Sequence, residues 1–368
     1  MFVLLLATSR GVADVIYVWS GDSTIQKIQS NGVCSVIYPN LSGWNGPVGL
    51  AVDNVGNLYS GCPGESSIRR YTPDGNMVLM GSSVDSVSAI AFDKSANLVG
   101  TIPNYAGISR LLFSYGQYFV YPYSPFNAGA LYPISLTFDQ AGNFYVANNW
   151  SVCPVASYYP TPTSGDNIIE KFSANYADLG IYVTNLNQPW GLAFDKAGAL
   201  YIANSGTAVL LKNSILKVTA DGSRQVFASS IRGLNQPRGI AFDSSGNLFV
   251  ANSGAGNILK FTPAGAVSVF ASGLNLPTSI AIYPGLNSYA TTPVQLINTT
   301  RLTNGAIQLN LSEPGGLTFG VLAATNATMP LSNWTTIGSF NEVSAGQYQF
   351  TDTQATNSAQ QFYRAKLQ

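Results

Sequence analysis

The stretch Pro237-Arg-Gly-Ile-Ala-Phe-Asp-Ser-Ser-Gly-Asn-Leu-Phe-Val-Ala-Asn252 places two apolar runs on either side of an Asp-x-x-Gly-Asn turn. Related stretches begin at Pro47, Ser88, Pro133 and Pro189. Each is followed by a third segment that alternates between apolar and polar residues, as a half-exposed strand does, and then by a polar turn and a fourth segment. A four-strand unit that recurs about every 40 residues is typical of the blade of a β-propeller, so the chain is predicted to be all-β.

The two ends of this repeat series complement each other. Val15-Ile-Tyr-Val-Trp19 matches a second strand, and third and fourth strands follow it without a preceding first strand. Thr278-Ser-Ile-Ala-Ile-Tyr283 matches a first strand, and no further strands of the repeat follow it. Joining both segments in one sheet completes a sixth blade and leaves no open sheet edge. The prediction is a six-bladed β-propeller closed by the N- and C-terminal strands of its ring.

The repeat resembles that of the NHL family of propellers over residues 14–284. A related six-bladed family, the gluconolactonase and senescence-marker type hydrolases, holds a divalent cation, usually calcium, on the ring axis. The resemblance implies carboxylate and Asn ligands at the mouths of the first strands, because hard cations take oxygen ligands. The residues at those positions, called the mouth residues below, are Val48, Ser88, Ile134, Trp190, Arg238 and Thr278. None is a carboxylate, so no metal or other cofactor is predicted.

Composition excludes several classes of function. Histidine is absent, which excludes the streptogramin-lyase and amidating-lyase types of propeller, since these share the fold but depend on histidines. Lys+Arg and Asp+Glu balance at 17 each, so no excess positive charge attracts nucleic acid. Only 9% of the residues are charged, and an uncharged polar surface favours an extracellular or periplasmic protein. The odd cysteine count fits no zinc pattern and leaves open whether Cys34 pairs with Cys62.

The chain is predicted to contain four segments. Residues 1–13 resemble the end of a signal peptide, and their apolar run is too short to span a bilayer. Residues 14–284 form the propeller, residues 285–293 a linker, and residues 294–368 a small β-sandwich. The last segment resembles a C-terminal module of secreted bacterial proteins. The motifs that carry this resemblance are Asn333-Trp334, Phe350-Thr-Asp352 and Phe362-Tyr-Arg364.

Candidate ligand-binding residues lie on the propeller face that carries the mouth residues. Amide side chains suit hydroxyl-rich ligands, and aromatic rings offer flat apolar surfaces. The predicted set is Asn148, Asn204, Asn252, Trp150, Trp190, Arg238 and Tyr159. The alternative is that each Asn only caps its own loop. The Asp that ends each first strand is predicted to be structural, because it can accept N–H bonds within its turn.

The first functional hypothesis is a secreted, non-catalytic binding propeller without catalytic residues. Its partner would be a carbohydrate, a peptide or a protein, with neither nucleic acid nor a membrane span involved. The alternative is a hydrolase or lactonase of the gluconolactonase-like type whose site is rearranged, using Asp22, Glu65 or Asp166. A third hypothesis is a structural surface-assembly protein that associates with copies of itself.

Overall fold

The computed structural model of the chain describes most of its strands and their turns. The described residues are 14–38, 49–54, 56–62, 67–73, 75–82, 87–102, 107–114, 117–121, 132–149, 167–206, 212–283, 296–312, 319–325, 334–344, 347–355 and 362–367. Backbone contacts divide the chain into two compact units, of which one is Asp14–Tyr283 and the other contains Pro284–Gln368. Nowhere in these described ranges does a helix have the length and apolar character needed to cross a membrane.

The described part of the first unit consists of short β-strands with two 3₁₀ turns, Ser230–Arg232 and Ser253–Ala255. Its strands are β1 (Val15–Ser20), β2 (Thr24–Ile28), β3 (Cys34–Tyr38), β4 (Leu50–Val52), β5 (Leu58–Cys62), β6 (Ser67–Tyr71), β7 (Met77–Ser82), β8 (Ile90–Phe92), β9 (Leu98–Ile102), β10 (Gly107–Ser114), β11 (Gln117–Tyr121), β12 (Pro133–Phe138), β13 (Phe144–Asn149), β14 (Asn167–Phe172), β15 (Asp178–Val183), β16 (Pro189–Phe194), β17 (Leu200–Asn204), β18 (Ser214–Val218), β19 (Arg224–Ala228), β20 (Pro237–Phe242), β21 (Leu248–Asn252), β22 (Asn257–Phe261), β23 (Val267–Ser272) and β24 (Ser279–Tyr283).

These strands form antiparallel four-stranded sheets in which neighbours in sequence are neighbours in space. Five sheets take four consecutive strands each, from β4–β7 to β20–β23, and a further sheet has the order β24-β1-β2-β3. The first strands of successive sheets contact one another in the series β4, β8, β12, β16, β20 and β24, and β24 contacts β4 again. This arrangement is that of a β-propeller, as the repeat predicts.

The sheet that joins the two ends of the unit confirms the predicted pairing. Strand β24 runs antiparallel to β1, with Val18 opposite Ile280. Both side chains are buried in one apolar cluster, together with Ile28. Two segments far apart in sequence therefore share one sheet and one core.

Glycine after the mouth residue allows neighbouring first strands to approach closely. A Cβ on Gly239 would lie 2.8 Å from the Cα of Ser279, closer than real Cβ contacts. The N–H of Gly239 donates a 2.8 Å hydrogen bond to the carbonyl oxygen of Thr278. The Pro-x-Gly part of the repeat thus brings β20 and β24 together beside the axis.

The repeated aspartates act in their turns, as predicted. Asp243 accepts hydrogen bonds from the N–H of Asn247 at 2.7 Å and from its side-chain amide at 2.6 Å. Gly246 in the same turn has a φ of 81°, which glycine adopts without strain. Equivalent bonds from the residue four positions on reach Asp53, Asp93, Asp139 and Asp195.

Burial along the blades differs in part from what the pattern predicts. The second strands are buried throughout, as in Leu200–Asn204 and Leu248–Asn252. The third strands are more buried than their alternating pattern indicates, because they too lie between sheets; Asn167–Phe172 has four fully buried positions. The solvent-facing strands are the fourth ones, such as Val267–Ser272.

The second unit contains two described sheets with a common apolar core. Its strands are β25 (Leu296–Arg301), β26 (Ile307–Ser312), β27 (Phe319–Ala324), β28 (Thr335–Ser339), β29 (Asn341–Ser344), β30 (Gln347–Asp352) and β31 (Phe362–Leu367). One sheet has the order β25-β26-β30-β29 and the other β28-β27-β31. Leu309 of the first sheet and Val321 of the second belong to the same buried cluster. The hydroxyl of Tyr363 donates a 2.8 Å bond to Asp352, and burial raises the pKa of Tyr363.

Cys34 carries a free thiol and is not paired with Cys62 in a disulfide. Cys34 is free and half-buried, and its Sγ lies 3.7 Å from the carbonyl oxygen of Gly32. Burial raises the pKa of the Cys34 thiol, which disfavours the reactive thiolate.

Candidate functional site

The first strands enclose a small cavity on the axis of the propeller. It measures about 100 Å³, and the mouth residues Ser88, Ile134, Trp190 and Thr278 are among those that line it. A water molecule needs roughly 10–15 Å³ of such space, so several waters or a small polar group fit. Val48, the mouth residue of a further blade, lies outside the described residues.

Arg238 lies beside this cavity between two of its lining residues. Its guanidinium carbon is 4.4 Å from the centre of the Trp190 ring, and its Nη1 is 3.4 Å from Oγ1 of Thr278. Burial lowers the pKa of Arg238, and no described carboxylate forms an ion pair with it. The structure therefore brings together two predicted site residues, Trp190 and Arg238.

The described donors around the cavity do not fit a divalent cation. Calcium takes six to eight oxygen ligands, several of them carboxylates. The described cavity lining contains no carboxylate, and Arg238 adds a positive charge next to it. No group of three or more acidic, histidine or cysteine residues that could hold a metal occurs in the described part of the chain.

Two of the three predicted asparagines are engaged within their own blades. Asn204 and Asn252 are fully buried, and their side-chain oxygens accept bonds from the N–H groups of Asn187 and Asn235. Asn252 also donates to the carbonyl oxygen of Gly233 at 3.0 Å. These contacts hold the loop that enters the first strand of the same blade. Ligand contact by Asn204 and Asn252 stays a prediction.

Asn148 has a different partner from its two counterparts. Its side-chain amide donates a 2.9 Å hydrogen bond to a carboxyl oxygen of Glu170, and Asn148 is 1% exposed. Its Oδ1 is buried and has no hydrogen-bond partner within the described ranges. A buried amide oxygen without a partner costs free energy, so this atom is a candidate acceptor for a water or a ligand.

Glu170 is a buried carboxyl at a position where two other blades have leucine and three have the polar residues Gln26, Arg69 and Ser109. It is opposite Val146 in the sheet, as Leu216 is opposite Ile202 and Leu259 is opposite Val250. Glu170 is 4% exposed. Burial is the main cause that raises the pKa of Glu170 to about 7; the nearby charge of Asp178 adds to this, and the bond from Asn148 opposes it.

Asn148, on β13, is one strand away from the wall of the axial cavity, and Glu170, on β14, is two strands away. Asn148 is the register partner of Pro133, and the next residue, Ile134, lines the cavity. Next to Asn148, Asn149 at the end of β13 is the register partner of Asn167 at the start of β14.

Glu170 was missed by sequence reasoning because the segment Asn167-Ile-Ile-Glu-Lys-Phe172 alternates like a half-exposed strand. In such a pattern a carboxylate is expected to face water. The available signal was the comparison of blades, since the third strands that begin at Ser214 and Asn257 have leucine at the equivalent position.

The remaining predicted residues are placed as follows. Trp150 and Tyr159 lie outside the described residues, as do Glu65 and Asp166 of the rearranged-site alternative. Asp22 is described and exposed, and its carboxylate accepts a 2.7 Å bond from the hydroxyl of Thr24.

Residues 135–289 match the family described as the SMP-30/gluconolactonase/LRE-like region. This segment contains Asn148, Glu170, Trp190 and Arg238. No curated protein is significantly similar in sequence to the chain.

Solved structures of propellers are similar to the chain at low sequence identity. A chain of a nidogen–laminin complex has a TM-score of 0.58 and 17% identity, over 73% of this chain and 98% of the other. A gluconolactonase from Xanthomonas campestris has a TM-score of 0.53 and 16% identity, over 84% and 95% of the two chains. The calcium-binding protein regucalcin from Agrobacterium tumefaciens has a TM-score of 0.53 and 13% identity, over 74% and 83%. These likenesses show that the chain has a β-propeller fold.

Proposed function

We propose that the chain is a lactonase-type hydrolase on a β-propeller, with a rearranged site in which Glu170 accepts the proton. The match to the SMP-30/gluconolactonase/LRE-like family supports this proposal, and the matched segment includes Glu170. The comparisons lend no support to the non-catalytic binding hypothesis preferred on sequence alone. They favour its hydrolase alternative.

The observation that carries the proposal is the buried carboxyl of Glu170, whose pKa is raised to about 7. A general base works best when its pKa lies near the working pH. Burial of a carboxyl without a cation beside it among the described residues is costly, which favours a functional reason for it.

In the proposed reaction, water attacks the lactone carbonyl carbon while the ionised Glu170 takes the water proton. The ring C–O bond then breaks, and the proton passes to the departing alkoxide to give a hydroxy acid. Glu170 is two strands from the wall of the axial cavity, so the proton would reach it through buried water, for which the unpartnered Oδ1 of Asn148 is a candidate acceptor. No step passes through a metal ion.

The finer architecture is proposed on the same grounds. Six four-stranded sheets with first strands in a closed series of contacts support a six-bladed ring over residues 14–284. The common core of two sheets after residue 296 supports a β-sandwich as the last domain. An extracellular or periplasmic location remains a proposal from composition.

The test is hydrolysis of a panel of small lactones by the full chain and by two variants, Glu170→Gln and Glu170→Leu. Glu170→Leu introduces the residue that two other blades have at this position, Leu216 and Leu259, so it should fold. Both variants should lose about 10²-fold or more in kcat, the usual contribution of a general base. Asp221→Asn, which changes an exposed carboxylate in the turn before β19, is the control and should retain the rate. A well-folded Glu170→Leu protein with full activity would refute the proposal.

A further inference from the structure

The guanidinium of Arg238 lies at the edge of the axial cavity, and none of the described carboxylates serves as its counter-ion. It lies 4.4 Å from the centre of the Trp190 ring and makes one long bond, 3.4 Å, to the hydroxyl oxygen of Thr278. A guanidinium has five N–H donors in a fixed fork. Within the described part of the chain no carboxylate pairs with it. Most of its donors are therefore left for a ligand or for water.

The backbone before Arg238 and the ring beside its guanidinium are fixed by their surroundings. The residue before it, Pro237, accepts a hydrogen bond from the buried hydroxyl of Ser205. The N–H of Gln236 donates a 2.9 Å bond to the side chain of Asn213. The Trp190 ring, 9% exposed, is part of the apolar core and cannot turn freely. A cation held in place loses little entropy when a ligand binds, which favours affinity.

The other mouth residues identify Arg238 as an exception to the repeat. The equivalent positions in the other blades carry Val48, Ser88, Ile134, Trp190 and Thr278, all uncharged. The ring therefore does not need a charge at this position for its fold. Partial burial of an unpaired cation costs free energy, and a bound anion would recover that cost.

We propose that Arg238, Trp190 and Thr278 form a binding site for a small carboxylate at the mouth of the axial cavity. The planar fork of arginine matches a carboxylate through two parallel N–H···O bonds. Trp190 supplies a flat apolar surface beside it, and a cavity of about 100 Å³ admits only a small group. The hydroxyl of Thr278 donates to the carbonyl oxygen of Leu276, at 2.9 Å, so its oxygen stays oriented towards Arg238.

This site stands independently of the proposed hydrolase, although the two are chemically compatible. Hydrolysis of a lactone releases a hydroxy acid, which carries the carboxylate that Arg238 would bind. Binding at Arg238 needs no reaction at Glu170, so each proposal can fail without the other.

The experiment is calorimetric titration of the full chain with gluconate and with sorbitol, which replaces the carboxylate by CH₂OH. Gluconate should bind and sorbitol should bind about tenfold more weakly or not at all, since charge-assisted hydrogen bonds are roughly twice as strong as neutral ones. Gluconate affinity should also fall as salt is added. Equal affinity for the two probes, or for gluconate and inorganic phosphate, would overturn the carboxylate assignment.

Substitutions at Arg238 and at two control positions test whether gluconate binds at the proposed site. Arg238→Thr introduces the residue of a neighbouring blade and should weaken gluconate binding about tenfold or more, whereas Arg238→Lys should weaken it less. Arg224→Gln, which removes an exposed arginine bonded to the carbonyl oxygen of Thr184, should bind as the wild type does. Glu170→Gln should also retain gluconate binding, which separates this site from the proposed catalysis. Unchanged binding by a folded Arg238→Thr protein would refute the proposal.

Discussion

At the scale of single residues, the buried carboxyl of Glu170 couples stability to pH. Its neutral form is favoured in the folded chain, where its pKa is about 7, whereas its ordinary value is 4.5. Between these two values the folded chain holds a proton that the unfolded chain has released. Glu170 therefore lowers the free energy of unfolding progressively as the pH rises from about 4.5 to above 7, whereas at lower pH it causes no such loss.

Replacing Glu170 by leucine should remove this pH dependence. Relative to wild type, Glu170→Leu should become more stable by about 2–3 kcal/mol between pH 5 and pH 8, because only the wild type must ionise a buried carboxyl. Urea unfolding of both proteins at the two pH values measures the difference. A constant difference across this range would mean that Glu170 is not buried as described.

The residues of the candidate site could be predicted only in part from the sequence. Trp190 and Arg238 were predicted from the repeat, since the mouth residue is set by its position before glycine. Glu170 was not, because whether a charged residue in β14 faces water or a neighbouring sheet depends on sheet packing. The role of Asn204 was equally open, since an amide that holds a loop and an amide that binds a ligand have the same sequence pattern.

At the scale of elements, the close approach of β20 and β24 depends on the lack of a side chain at Gly239. A Cβ there would lie 2.8 Å from the carbonyl oxygen of Thr278 and 2.8 Å from the Cα of Ser279, both backbone atoms that cannot move aside cheaply. Gly239→Ala should therefore destabilise the fold by about 1–3 kcal/mol.

Denaturant unfolding measures the effect of Gly239→Ala, and Ser279→Ala provides the matched control. Ser279 occupies the equivalent position of the blade that includes β24, so this blade already accommodates a side chain there. The control should change stability little. Equal stability of the two variants would show that the first strands are further apart than described.

The strands themselves were predictable to a large extent. The apolar runs and the Asp-x-x-Gly-Asn turns predict the first and second strands, and the described turns have the expected hydrogen bonds. The pattern fails on the third strands, since residues such as Ile168 and Ile169 are buried on both faces. Periodicity reports on one exposed face and cannot show that neighbouring sheets cover both.

At the scale of the whole molecule, the pairing of β24 with β1 holds the first and last strands of the ring in one sheet. Ile280 is 7% exposed and lies opposite Val18. Ile280→Ala should cost about 2–5 kcal/mol, the usual loss for a large buried side chain. Val269→Ala on the outer strand β23, where Val269 is 59% exposed, should cost far less.

Guanidinium unfolding followed by tryptophan fluorescence tests this closure, since Trp19 is buried in β1. If Ile280→Ala costs no more than Val269→Ala, then the ends of the ring do not contribute to its core.

The central claim is lactone hydrolysis by the carboxyl of Glu170 without a bound metal ion. The most direct test is the pH dependence of kcat for lactone hydrolysis by chelator-treated protein. The rate should rise through a pKa of about 7 as Glu170 ionises, and Glu170→Gln should abolish this rise. Activity that appears only when a divalent cation is restored, with the same pH profile in Glu170→Gln, would contradict the account.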